Sequence, residues 1–145
     1  MTAKAYLRQY REAVAELKCK EQEREMLYER ATSVSPSMNG GTPNAGEISD
    51  KTGRGAVSIV ELDAVISAEI QNLKQLLTEI RSTISKVQDA NERNLLTYYY
   101  ICGFTWEQTA VQMNYSYVHV VKNLHPAALK SIDAILKRSE ENGGR

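Results

Sequence analysis

The side chains best suited to chemistry lie in one short run: Ser116, Tyr117, Val118, His119, Lys122 and Asn123, with Lys130 a little further on. An asparagine amide pairs bidentately with adenine, a lysine donates to guanine, and a valine can meet a thymine methyl. Lys130, followed by Lys137 and Arg138, suits phosphate oxygens. The chemistry is hydrogen bonding to double-stranded DNA rather than bond making, although the same residues would also suit a solvated helix face. Catalysis has little support. Glu107 and Asp133 are isolated acids, expected on a solvated helix surface. His119 and His125, six apart, do not share a helical face, and Cys19 and Cys102 stand alone, so neither a metal nor another cofactor is expected. No P-loop or dinucleotide fingerprint is present, and an enzyme is not expected.

Local signals place this run on the second helix of a pair. A helix carrying Leu95, Leu96, Tyr99 and Tyr100 ends at Gly103, since glycine accepts the left-handed conformation. Thr105-Trp106-Glu107-Gln108 fits a capping box and starts a short helix. Asn114, tolerant of a left-handed turn, ends it, and Ser116 caps the next helix from Tyr117. Ala110 is small, as a close helix crossing requires, and Val120 supplies the residue that packs back. Helix, tight turn, short helix, three-to-four-residue turn, helix is the layout of a helix-turn-helix. Beyond it the phase slips. Tyr117, Val120, Val121 and Leu124 centre on one direction, and Ala128, Leu129, Ile132, Ile135 and Leu136 centre roughly 70° away at about 100° per residue. Pro126 sits at the change, where a kink or restart is expected.

The preceding chain reads as two long helices. In residues 1–34, Leu7, Tyr10, Val14 and Leu17 follow helical spacing and Tyr28 and Ala31 resume it; Glu21 and Arg24 leave a polar gap between. Its seven basic and six acidic groups to residue 32 are interspersed, as on a solvated face. Residues 35–56 concentrate Gly40, Gly41, Gly46, Gly53, Gly55, Pro36 and Pro43 and read as a flexible connector, expected to be mobile. Across 57–90, Leu62, Ile66, Ile70, Leu73, Leu77, Ile80, Ile84 and Val87 line one helix face. Such a stripe needs a partner, so the two helices are expected to form an antiparallel hairpin or a dimerisation stalk of coiled-coil type. Seven of the ten aromatics fall between residues 98 and 117, which points to a small aromatic core in a domain spanning 91–145. The expected fold class is all-α: a long two-helix antiparallel hairpin or stalk followed by a C-terminal helix-turn-helix domain.

Composition narrows the setting. Hydrophobic content of 42% with 25% charged residues is near that of a globular chain, so wholesale disorder is not expected. No apolar run reaches the length of a membrane span, the first residues are not a secretory signal, and unpaired cysteines suit a reducing compartment; a cytoplasmic protein without a membrane partner is expected. Eighteen basic groups balance eighteen acidic ones, and residues 91–145 hold six against five. Intrinsic DNA affinity should therefore be weak and should rely on a homodimer or a protein partner for further contacts.

Gly103-x-Thr105-Trp106-Glu107-Gln108-x-Ala110-x-x-Met113-x-Tyr115-Ser116, preceded by Tyr100-Ile101, resembles region 4 of sigma-70-type factors. More closely it is similar to the small sigma-like transcriptional regulators of phages of Gram-positive hosts, the RinA-type and ArpU-type late-gene activators. The resemblance covers roughly residues 93–130 and is architectural over 1–90. It implies promoter binding through the second helix of the motif and contact with host RNA polymerase. Two departures stand out. Tyr117–His125 lacks the family's arginines, and Leu124-His125-Pro126-Ala127-Ala128-Leu129 holds one extra residue relative to Val120. Two other functions stay open: a protein that engages polymerase or a sigma factor without reading bases, and a small terminase subunit for DNA packaging.

Overall fold

A computed structural model describes the backbone over residues 1–33 and 45–143, and side chains over 1–33 and 59–143. Among the described residues every regular element is helical. Helix α1 spans Ala3–Thr32 and α2 spans Ala45–Ser85. Helix α3 runs through Ala90–Leu96 and a π-helical turn, Thr97–Ile101. Helix α4 is Trp106–Met113. Helix α5 is continuous from 117 to 143, through Tyr117–His119, a π-helical turn Val120–Leu124, and His125–Gly143. The chain is thus all-α, with α4, a three-residue turn and α5 in the helix-turn-helix order.

Helix α2 starts earlier than its apolar stripe suggests. Residues 45–56, expected to belong to the connector, are helical in their backbone. No proline follows Pro43 until Pro126, so nothing blocks helical dihedrals there, and glycine disfavours a helix by only about 1 kcal/mol per residue. The rest of that stretch, 34–44, lies outside the described residues.

Two compact units divide the chain. One is Val14–Asn72, where α1 and α2 pair antiparallel: Lys20 bonds Glu69 while Arg24, further along α1, bonds Asp63, earlier on α2. Val14, Leu17, Lys20, Arg24, Leu27 and Ala31 are the less exposed residues of α1 here, at three- and four-residue spacing. The polar gap read from the sequence is therefore filled differently than its residues suggested. Lys20, not Glu21, shares the seam with Arg24; Glu21 is exposed. The two cations meet carboxylates of α2, so their apolar stems pack while their charges are matched.

The other unit joins Met1–Ala13 to Leu73–Arg145. Its core contains Leu7 of α1, Ile80, Ile84 and Val87, Leu95, Leu96 and Tyr100 of α3, Ala110 of α4, and Val120, Ala128 and Ile132 of α5. The first thirteen residues thus belong to the same core as the C-terminal helices, and a boundary at residue 91 does not describe it. Two polar contacts fix the entry of α1. The Ala3 amide donates to Asp133 Oδ1 at 2.8 Å, and the Tyr6 hydroxyl lies 3.0 Å from Thr83 Oγ1. Asp133, expected on a solvated surface, is half-buried. It satisfies one of the amides that a helix N-terminus leaves without an internal partner, at the end where negative charge is favoured.

Candidate nucleic-acid interface

The frame around the candidate residues is built from local signals. Gly103 has φ +75°, and the Phe104 amide reaches back to the Tyr98 carbonyl at 3.1 Å, closing α3. Thr105 and Gln108 form the reciprocal capping box: the Gln108 amide donates to Thr105 Oγ1 at 3.1 Å and the Thr105 amide donates to Gln108 Oε1 at 2.9 Å. Asn114 takes the left-handed conformation at φ 58°. The Tyr115 and Asn114 amides then bond the carbonyls of Ala110 and Val111, the paired bonds of a Schellman ending. Ser116 Oγ accepts from the His119 amide at 3.1 Å and starts α5.

Helix α5 does not restart at Pro126: it is helical without a break through that residue. The extra residue is absorbed one turn earlier, where the His125 amide bonds the Val120 carbonyl, five residues back, rather than that of Val121. A proline ring clashes with the carbonyl four residues before it, here that of Lys122, and the wider turn supplies the slack. The inserted residue also rotates the later apolar stripe back toward the earlier one. Val120, His125, Ala128 and Ile132 are all buried as a result.

Behind α5 stands an aromatic wall. Tyr99 stacks on Trp106 with ring centres 3.6 Å apart, and Trp106 lies 4.4 Å from the His125 ring. The Tyr100 hydroxyl, 1% exposed, is hydrogen-bonded to His125 Nε2 at 2.8 Å. Burial pushes the Tyr100 hydroxyl up to about 12, helped by Tyr99, so it keeps its proton. Burial, with Lys4 adding like charge, pulls His125 down to about 4, which keeps the ring neutral. Arg11 of α1 closes the wall. Its guanidinium carbon sits 4.1 Å from the centre of the Tyr99 ring, and its Nη1 donates to the carbonyls of Tyr99 at 3.1 Å and Phe104 at 3.5 Å.

On the opposite side of this wall the sequence-selected residues are accessible. Ser116, Tyr117, Val118, Lys122 and Asn123 are exposed at the start of α5, and Lys130 is exposed beyond the π-helical turn. His119 is half-buried. The Tyr115 ring meets it edge-on at 5.0 Å, and the Asn123 amide nitrogen lies 3.3 Å from His119 Nδ1. Tyr115 belongs to the motif quoted above but not to the residues assigned to DNA there. Its four-residue spacing from His119, repeated by Asn123, was the available signal.

Among the described residues no group of three or more His, Cys, Asp or Glu is placed to hold a metal, and no helix is long and apolar enough to cross a membrane. Cys19 and Cys102 are both exposed and free. No protein-family model matches the chain, and neither a curated protein nor a solved structure does.

Proposed function

We propose that this chain is a sequence-specific DNA-binding transcriptional regulator of a phage or prophage, reading promoter DNA through the first turns of α5 in the manner of sigma region 4. The reading rests on one observation: α5 buries Val120 and His125 while leaving Val118, Lys122 and Asn123 exposed at its N-terminal end, behind a three-residue turn. That end is the part of such a helix that reaches base edges. Ser116 and Tyr117 lie at the turn, where backbone phosphates would pass, and Lys130 supplies a further phosphate contact. Because positive charge is sparse, the reading includes pairing of two chains through the long helices, which doubles the contacts made by one.

The test is selection of bound sequences from a random duplex library, followed by titrations on target and scrambled duplexes at several salt concentrations. Asn123→Ala should weaken specific binding by about 1–3 kcal/mol and leave nonspecific binding nearly intact. Lys122→Ala, if a phosphate contact, should lower affinity on all sequences and flatten the salt dependence. If replacing His119, Lys122 and Asn123 together leaves specific binding untouched, α5 is not the reading helix.

A second reading has its own observation. Val111 is 76% exposed, and Tyr115, Tyr117 and Val118 are exposed around the same turn. Apolar and aromatic side chains there fit a protein surface, so a regulator that engages host RNA polymerase or its sigma factor without reading bases is the alternative. Capture of polymerase without promoter DNA, abolished by Val111→Asp, would favour it.

A further inference from the structure

Three residues on the exposed side of the motif form a connected chain. The Tyr115 ring meets His119 edge-on at 5.0 Å, and His119 Nδ1 lies 3.3 Å from the Asn123 amide nitrogen, one turn further along α5. His119 is half-buried among exposed neighbours, and its amide is held by Ser116 Oγ at 3.1 Å. An exposed asparagine ordinarily flips its amide freely, presenting either end to a ligand. Here the neighbouring ring nitrogen decides the end.

We infer that His119 is a positioning residue: it holds the Asn123 amide in the one orientation that reads adenine. The inference rests on the DNA-reading proposal and deepens it. With the imidazole proton on Nε2, Nδ1 accepts from the amide nitrogen. A primary amide has two N–H bonds. When the one directed away from the carbonyl is taken by His119, the other lies beside Oδ1. Donor and acceptor then sit side by side, matching the N7 acceptor and N6 donor on the major-groove edge of adenine. The ring of Tyr115 limits rotation of His119, so the orientation exists before DNA arrives and need not be selected on binding. The chemistry this site takes is an adenine of an A·T pair, at one position per half-site.

Two measurements test it, one of them without DNA. In the free protein, side-chain amide NMR should show the Asn123 NH2 signals slowed in exchange and displaced, and His119→Phe should return them to those of a free asparagine. Phenylalanine keeps an aromatic ring for Tyr115 while deleting Nδ1. In the library selection, the parent should prefer adenine at one position by about tenfold or more. Asn123→Ala should lose that preference alone, and His119→Phe should lose it at the same position while keeping the rest of the motif. His119→Asn, which places an acceptor oxygen near the position of Nδ1, should retain most of it and serves if the phenylalanine variant folds poorly. Free-like amide signals in the parent, or a His119→Phe motif with adenine intact where Asn123→Ala has lost it, would overturn the positioning role and leave DNA reading standing. A parent that selects no motif would overturn DNA reading itself, and the inference with it.

Discussion

Acidification from just below neutral pH should destabilise this protein, and His125 sets the window. In the folded chain the ring is 9% exposed, bonded to Tyr100, and held down to about 4, against 6.5 in an unfolded chain. Below about pH 6.5 the unfolded state takes up a proton that the folded state refuses, so stability falls as pH falls. The slope approaches about 1.4 kcal/mol per pH unit between these two values and fades below about pH 4, as the folded ring takes up its proton too. Between pH 7.5 and 5.0 the loss amounts to roughly 2 kcal/mol, a large part of a net stability of about 5–15 kcal/mol. The assay is urea unfolding at pH 7.5, 6.0 and 5.0, followed by fluorescence of Trp106, the one tryptophan. His125→Gln is the control: it keeps an acceptor near Nε2 for Tyr100 and cannot titrate. The variant should start weaker, having lost ring packing on Trp106, but its stability should stay flatter with pH. The gap between parent and variant should narrow by roughly 2 kcal/mol, a midpoint change of about 1 M urea. A gap that stays constant to within about 0.5 kcal/mol would refute the buried neutral histidine.

Three further outcomes are expected. Arg11→Ala removes a cation from the Tyr99 ring and a donor from two carbonyls, and should cost about 1–2 kcal/mol in thermal melts, with the near-ultraviolet signal of the stacked Tyr99 and Trp106 reduced. Reversing Lys20 to Glu should weaken the pairing of α1 with α2, and adding Glu69→Lys should restore it, with a coupling of up to about 1 kcal/mol in a double-mutant cycle because both side chains are partly exposed. Ala110→Leu, at a position 4% exposed in the shared core, should overpack the crossing of α4 with α5 and lower stability by about 1–3 kcal/mol; an unchanged melting temperature would mean the helices do not cross there.

What the sequence determined by itself is the punctuation of the helices. Thr105 with Gln108, Asn114, Ser116 and Gly103 each act on amides or dihedrals within a few residues, so their caps and turns follow from local chemistry. The all-α class and the inward faces of Ala110 and Val120 follow from period and side-chain size in the same way. The phase slip before Pro126 was legible too, but not its form: a helix can kink, restart or widen, and only packing of α5 on both sides of the slip selected the π-helical turn. Other features needed the folded chain outright. Met1–Ala13 joins the C-terminal core because Leu7 finds a site among α2, α3 and α5, and no periodicity reports which chain will cover a stripe. Asp133 serves the Ala3 amide 130 residues away, Arg11 serves Tyr99, and His125 is neutral because it is enclosed. Each of these depends on which distant group displaces water, and burial is a property of the assembled surface rather than of any local run of residues.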